Sequence, residues 1–152
     1  MKYTDTLVAF REIPDEITLC INISGCPIHC PDCHSKELWS DIGKKLTDTE
    51  LQMLIDKNNG ISCVCIMGGD KDYHEVEKAA NIIKKNNIKS AWYSGKDAIP
   101  LDLDLSLFDY IKIGPYIKKF GPVNSPTTNQ RLYKVEDNNL INITDKLWDN
   151  AV

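Results

Sequence analysis

The chain has no run approaching ~18 consecutive apolar residues, so the sequence predicts no membrane-spanning helix. It has no excess of basic residues: 18 Lys and Arg stand against 22 Asp and Glu, a formal net charge of −4. Non-specific nucleic-acid binding needs a basic face, and this balance argues against it while leaving a nucleotide-like cofactor open. The opening residues, MKYTDTLVAFREIPDE, lack the apolar core of a signal peptide and carry acidic residues early, so a cytoplasmic location is expected. Internal repeats, low-complexity tracts and domain-separating linkers are also missing. A chain of 152 residues that is 42% hydrophobic and 26% charged is then expected to form one domain, 1–152, around one core.

What the chain does have is six cysteines. In a reducing cytosol, a metal or catalytic role explains them better than disulfides. Cys26, Cys30 and Cys33 lie within eight residues of one another, whereas Cys20, Cys63 and Cys65 sit inside apolar runs and read as small core hydrophobes.

Residues 16–24 (EITLCINIS) read as a buried strand ended by Gly25, and the cysteine cluster follows directly in a loop with Pro27 and Pro31. Residues 35–39 suggest one helical turn. Thr47 with Glu50 three residues on is a capping-box signal for a helix that buries Leu51, Leu54 and Ile55 and stops at Asn58-Asn59-Gly60. A second buried strand, 61–67, stops at Gly68-Gly69-Asp70, and 73–85 has helical spacing at Val76, Ala79, Ala80 and Ile83. A third strand is expected at 88–94 and a fourth at 110–113, with 102–108 ambiguous between them. Residues 132–135 and 140–143 flank Glu136-Asp137-Asn138-Asn139 as a hairpin. Apolar strands alternating with amphipathic helices indicate parallel βαβ units, an α/β fold with about four core parallel strands.

The cysteine loop reads CPIHCPDC, a C-x3-C-x2-C spacing. Three thiolates this close can bind three irons of a cubane cluster from one loop. Electron-transfer clusters and structural zinc sites normally take four protein ligands, so three cysteines leave one iron open for a substrate or cofactor. A zinc site completed by His29 or His34, a four-cysteine ferredoxin-like site, and packing or disulfide roles remain the alternatives.

This motif after the first strand of a βα array resembles the signature of radical S-adenosylmethionine enzymes. Segments 22–39 (NISGCPIHCPDCHSKELW), 63–70 (CVCIMGGD), 92–95 (WYSG), 109–116 (DYIKIGPY) and 125–135 (SPTTNQRLYKV) are similar, in order, to the family of activating proteins of anaerobic ribonucleoside-triphosphate reductases. The resemblance implies a partial (βα) barrel with a [4Fe–4S] cluster on Cys26, Cys30 and Cys33. It also implies S-adenosylmethionine as the second cofactor and a low-potential electron donor. Reductive cleavage of the cofactor would give a 5′-deoxyadenosyl radical that takes a hydrogen atom from a glycine of the reductase. The sequence departs from the pattern twice. Asp32 stands where an aromatic residue often lies near the adenine, which makes His34 a candidate for that contact. Gly68-Gly69-Asp70 stands where the superfamily has Gly-Gly-Glu.

Gly68 and Gly69 end a parallel strand, where such arrays place ligands, and glycine allows close backbone approach. A simple strand-to-loop turn is the other reading. Strand alternation puts Lys112 on the face opposite Ile111 and Ile113. A buried lysine needs an anionic partner, for which the cofactor carboxylate, Asp70 and Asp109 are the candidates, and a solvated strand end is the alternative. Ser94 is a candidate hydrogen-bonding group for the cofactor, and Arg131 for the cofactor or the reductase. Tyr3, Phe10 and Trp148 are candidates for a partner surface. Four βα strands cannot close an eight-stranded barrel, which leaves an open side that a protein substrate would cover. Two rival functions are a radical S-adenosylmethionine enzyme for a small molecule such as a deazapurine precursor, and a non-catalytic zinc-binding interaction module.

Overall fold

In the computed structural model, which describes residues 1–30 and 36–148, the chain forms one eight-stranded sheet with two α-helices. Cys33 and His34 lie outside the described residues. Four strands run parallel at the centre: β2 (Thr18–Ile23), β4 (Cys63–Met67), β5 (Lys89–Tyr93) and β6 (Tyr110–Ile113). They are flanked by β1 (Lys2–Ala9) and the two-residue β3 (Lys44–Lys45) on one side, and by β7 (Arg131–Glu136) and β8 (Asn139–Asn142) on the other, giving the order β3-β1-β2-β4-β5-β6-β7-β8. None of the described helices is long and apolar enough to cross a membrane.

Helix α1 (Asp48–Lys57) starts where Thr47 Oγ1 accepts the Glu50 backbone N–H at 3.1 Å. The Glu50 carboxylate does not close the box reciprocally. It accepts from the Tyr3 hydroxyl and pairs with Lys44 at 3.1 Å, tying α1 to β1 and β3. Helix α2 (Tyr73–Lys85) matches its expected span and is capped by Asp72. The ambiguous stretch before β6 is a short 3-10 turn, Leu105–Leu107, and a second such turn covers Lys36–Trp39. Asp137 and Asn138 both take positive φ, 51° and 62°, as a tight two-residue hairpin between β7 and β8 requires.

Strand β1 is the element that the sequence pattern hid. It pairs antiparallel with β2 across nearly its whole length, yet its residues are only half-buried or exposed, so apolar alternation is weak.

Successive parallel strands are added in one direction, and right-handed crossovers therefore place both helices on the same face. That face holds the larger core, with Leu19, Ile21, Val64, Ile66, Trp92 and Ile111 against Leu51, Leu54, Val76 and Ile83. The opposite face carries Cys20, Cys63, Cys65, Ala91, Tyr110 and Leu132, closed over by Ile13 and Ile143. Period-two alternation then sets a row across this second face, Asn22–Met67–Tyr93–Lys112–Leu132, at the carboxyl ends of the parallel strands.

Cys20, Cys63 and Cys65 are thus packing groups, and none exposes more than 2% of its surface. Replacing Cys63 by Ala removes about one methylene-sized group and should lower unfolding free energy by about 1 kcal/mol in urea titration. Iron bound after anaerobic reconstitution should be unchanged, and its loss would make Cys63 a ligand.

Candidate functional site

The cysteine loop leaves the carboxyl end of β2 and is closed at its base by backbone hydrogen bonds. Gly25, at φ +73°, donates its N–H to the Ser40 carbonyl at 3.0 Å, and Cys26 donates to Leu38 at 2.8 Å. His29 takes φ +51° and stacks on Trp39 with ring centroids 4.5 Å apart and planes at 11°. Between the two described cysteines of the loop, Ile28 packs onto Gly95 beyond β5. A Cβ on Gly95 would stand 2.9 Å from Ile28 Cγ1, so the loop sits this close only because residue 95 has no side chain. Cys26 and Cys30 are half-buried free thiols.

The buried cysteines differ in chemistry as well as in place. Burial pushes the Cys20 and Cys63 thiols up to about 12, and Cys65 well above its ordinary value. Metal ligation requires thiolate, so burial makes these three poor ligands.

Gly68 and Gly69 turn the chain away from β4 at φ +117° and +86°. A Cβ at Gly68 would lie 3.2 Å from Ile23, and one at Gly69 would lie 2.6 Å from Val76 Cγ2. The chain's own packing therefore demands both glycines, and any contact they make to a ligand is a backbone contact. Asp70 is buried, and both its oxygens are engaged: Oδ1 accepts from the Ser94 hydroxyl, and Oδ2 accepts the Gly95 N–H at 2.9 Å. Ser94 Oγ in turn accepts the Lys96 N–H at 3.1 Å. Asp70 and Ser94 are brought together as a strap between the ends of β4 and β5, and the strap holds Gly95 beneath Ile28.

Lys112 lies on the second face, 8% exposed. Its Nζ donates to Gln130 Oε1 at 2.9 Å and to the Gly114 carbonyl at 3.4 Å, and it stands 5.1 Å from the centre of the Tyr93 ring. It forms no ion pair among the described residues. Asp109, a candidate partner by sequence, bonds instead to Lys84 at 2.8 Å, and Asp70 is committed to Ser94 and Gly95. Burial pulls the Lys112 ammonium down to about 8, against the attraction of Cys65, Asp70, Cys30 and Glu12. An ammonium held this way by neutral groups suits an anionic ligand.

Arg131 is exposed, and its Nη1 donates to the Thr128 and Gln130 carbonyls at 2.7 Å each. Gln130, Tyr93 and Ile28 are the site residues that the sequence pattern did not single out. Gln130 and Tyr93 lie inside the segments 125–135 and 92–95, but only the register shows them meeting Lys112. The Tyr93 hydroxyl donates to the Glu12 carbonyl, and its ring borders a cavity of about 890 Å³ between the 10–15 loop, residues 122–124 and residues 145–148. Phe10 and Trp148 line that cavity. Tyr3 is elsewhere, bonded to Glu50.

The free protein should show what Lys112 costs. Its pKa is near 8 folded and about 10.4 unfolded, so the unfolded state binds more protons between those values and stability rises with pH across that window. Below it, burying the charge costs about 3 kcal/mol, while removing it leaves Gln130 unpartnered at about 1–2 kcal/mol. Lys112→Met should therefore be about 1–2 kcal/mol more stable than wild type at pH 7 in urea unfolding, with the difference shrinking as pH rises toward 10. A variant less stable at pH 7 would mean that the ammonium is already paid for inside the chain.

Compared with known proteins, residues 17–99 match the family model of the 4Fe-4S single cluster domain. That span runs from β2 through the cysteine loop and the Asp70–Ser94 strap to just beyond β5. No curated protein and no solved structure matches the chain.

Proposed function

The chain belongs to the 4Fe-4S single cluster domain family, and from that premise we propose that it is a radical S-adenosylmethionine activase for anaerobic ribonucleoside-triphosphate reductase. Cys26, Cys30 and Cys33 would hold the [4Fe–4S] cluster, and the CPIHCPDC loop offers no fourth cysteine. Bound beside those cysteines, S-adenosylmethionine and the cluster would together supply the one-electron radical chemistry that ends in a glycyl radical on the reductase. Everything else is the work of this chain's side chains and backbone.

The observation that carries the reading is Lys112. A buried ammonium with no carboxylate paired to it among the described residues, near the strand ends from which the cysteine loop leaves, fits the carboxylate of an amino-acid cofactor. Gln130 and the Tyr93 ring hold the lysine in place. The glycine turn at Gly68 and Gly69 is tied to β5, with the Gly68 N–H given to the Tyr93 carbonyl and its carbonyl accepting the Trp92 indole N–H, and the Asp70–Ser94 strap fixes the floor under Ile28. Asp70 acts through that strap and not by touching the cofactor. Four parallel strands added in one direction, with both helices on one face, support the partial (βα) barrel of this superfamily. The cavity beside Tyr93, with Phe10 and Trp148 in its wall, is the opening through which a polypeptide segment would enter.

Anaerobic mixing with the host reductase, S-adenosylmethionine and a low-potential reductant should give an EPR doublet on the reductase, with 5′-deoxyadenosine and methionine formed alongside. The doublet should collapse when the reductase is made with Cα-deuterated glycine. Cofactor cleavage coupled to turnover of a small metabolite, with no radical on the reductase, would assign the chain to a different substrate.

A further inference from the structure

None of the chain's 22 acidic residues lies between Tyr110 and Val135, although that stretch holds Lys112, Lys118, Lys119, Arg131 and Lys134. Lys112 is buried and Lys134 pairs with Glu136 at 3.0 Å. The other three are exposed. Lys118 and Lys119 form the tip of a tight loop closed by the Ile117–Gly121 bridge, with the Phe120 N–H donating to the Ile117 carbonyl at 3.0 Å. Beside them Ile117 and Phe120 remain 37% and 38% exposed, and Lys119 Nζ stands 5.7 Å from the Phe120 ring centre. Neither lysine forms an ion pair among the described residues. The 115–121 loop thus presents a small patch that is basic at its rim and apolar at its centre, on a chain whose net charge is −4.

The patch lies on the loop that follows β6, at the same strand-end edge of the sheet from which the cysteine loop leaves β2. It leaves the end of β6 at Gly114, whose N–H donates to the Lys96 carbonyl at 2.7 Å, and Lys96 follows the Gly95 on which Ile28 packs. An iron–sulfur cluster held there needs electrons from a donor that approaches closely. Electron-transfer encounters between proteins are small and short-lived, typically below ~1,200 Å² of buried surface, and their rates depend on charge steering. A few unpaired lysines around exposed apolar groups suit such an encounter. The two lysines of this loop neutralise too few phosphates to hold a nucleic acid at physiological salt.

We propose that the 115–121 loop is the docking surface for a low-potential one-electron carrier protein with an acidic face. In each encounter the carrier is oxidised by one electron and the cluster is reduced by one, and no bond is made or broken. The proposal rests on the iron–sulfur family and not on which molecule finally receives the radical.

A reduced flavodoxin with an acidic face is a suitable probe, mixed by anaerobic stopped flow with the reconstituted protein. The wild-type second-order rate should fall steeply with added salt, and Lys118→Glu/Lys119→Glu should be slower by about 10-fold or more at low ionic strength. The affinity of oxidised flavodoxin for the same variant, measured by thermophoresis, should fall in step. Lys118→Gln/Lys119→Gln should lie between wild type and the charge reversal. Reduction by a small photoreduced deazaflavin should be equal in all three proteins, which also reports that their clusters are intact. Flavodoxin reduction that ignores both salt and the reversal would overturn the proposal. So would a reversal that weakens binding to the reductase while leaving flavodoxin reduction unchanged, since the patch would then belong to the protein substrate. Failure of the activase reading is seen separately, as absence of a glycyl radical from a protein whose cluster flavodoxin still reduces.

Discussion

Lys112 carries its Nζ into the sheet face opposite the helices, where the polar atoms that meet it are the Gln130 amide oxygen and the Gly114 carbonyl. Strand alternation forces this placement, because Ile111 and Ile113 belong to the other face and the backbone of β6 is locked between β5 and β7. The neighbouring carboxylates are occupied elsewhere, Asp109 by Lys84 and Asp70 by Ser94 and Gly95. A charge buried among neutral groups lowers the stability of the free protein, and a fold keeps it where an anion completes the site.

The cysteine loop depends on the same end of the sheet. Its base is fastened by Gly25 to Ser40 and Cys26 to Leu38, and its middle rests on Gly95 through Ile28. Gly95 is held by Asp70, which reaches across from the end of β4. The loop that bears the cysteines, the glycine turn after β4, Ser94 and Gly95 after β5 and the lysine of β6 are therefore one mechanical unit, assembled from four strand ends and joined to β6 where the Ser94 N–H donates to the Lys112 carbonyl at 2.8 Å. Asp70 is the strap in this unit, with one carboxylate oxygen on the Ser94 hydroxyl and the other on the Gly95 N–H.

Much of this was legible in the sequence. The four central strands and both helices follow from apolar runs, from the capping signal at Thr47 and from helical spacing at Val76, Ala79, Ala80 and Ile83, and the buried fate of Cys20, Cys63 and Cys65 follows from their apolar neighbours. Strand β1 was hidden, because a peripheral strand with half-exposed residues shows little alternation. The pairing of Lys112 with Gln130 was hidden for a different reason. It depends on antiparallel register between β6 and β7, and register across an 18-residue separation leaves no periodic trace in a sequence. Likewise, the use of Gly95 as a seat for Ile28 is a tertiary contact that the Ser-Gly dipeptide alone does not announce.

Together these features make a redox-cofactor domain whose own side chains do little chemistry and much positioning. The proposed function turns on Lys112 binding the carboxylate of S-adenosylmethionine. The direct measurement is the affinity of the anaerobic, cluster-loaded protein for S-adenosylmethionine, by equilibrium dialysis, in wild type and Lys112→Met. Loss of a charge-assisted contact in a buried site should weaken binding by roughly 10- to 100-fold with the iron content unchanged. Equal affinity in the two proteins would contradict the account.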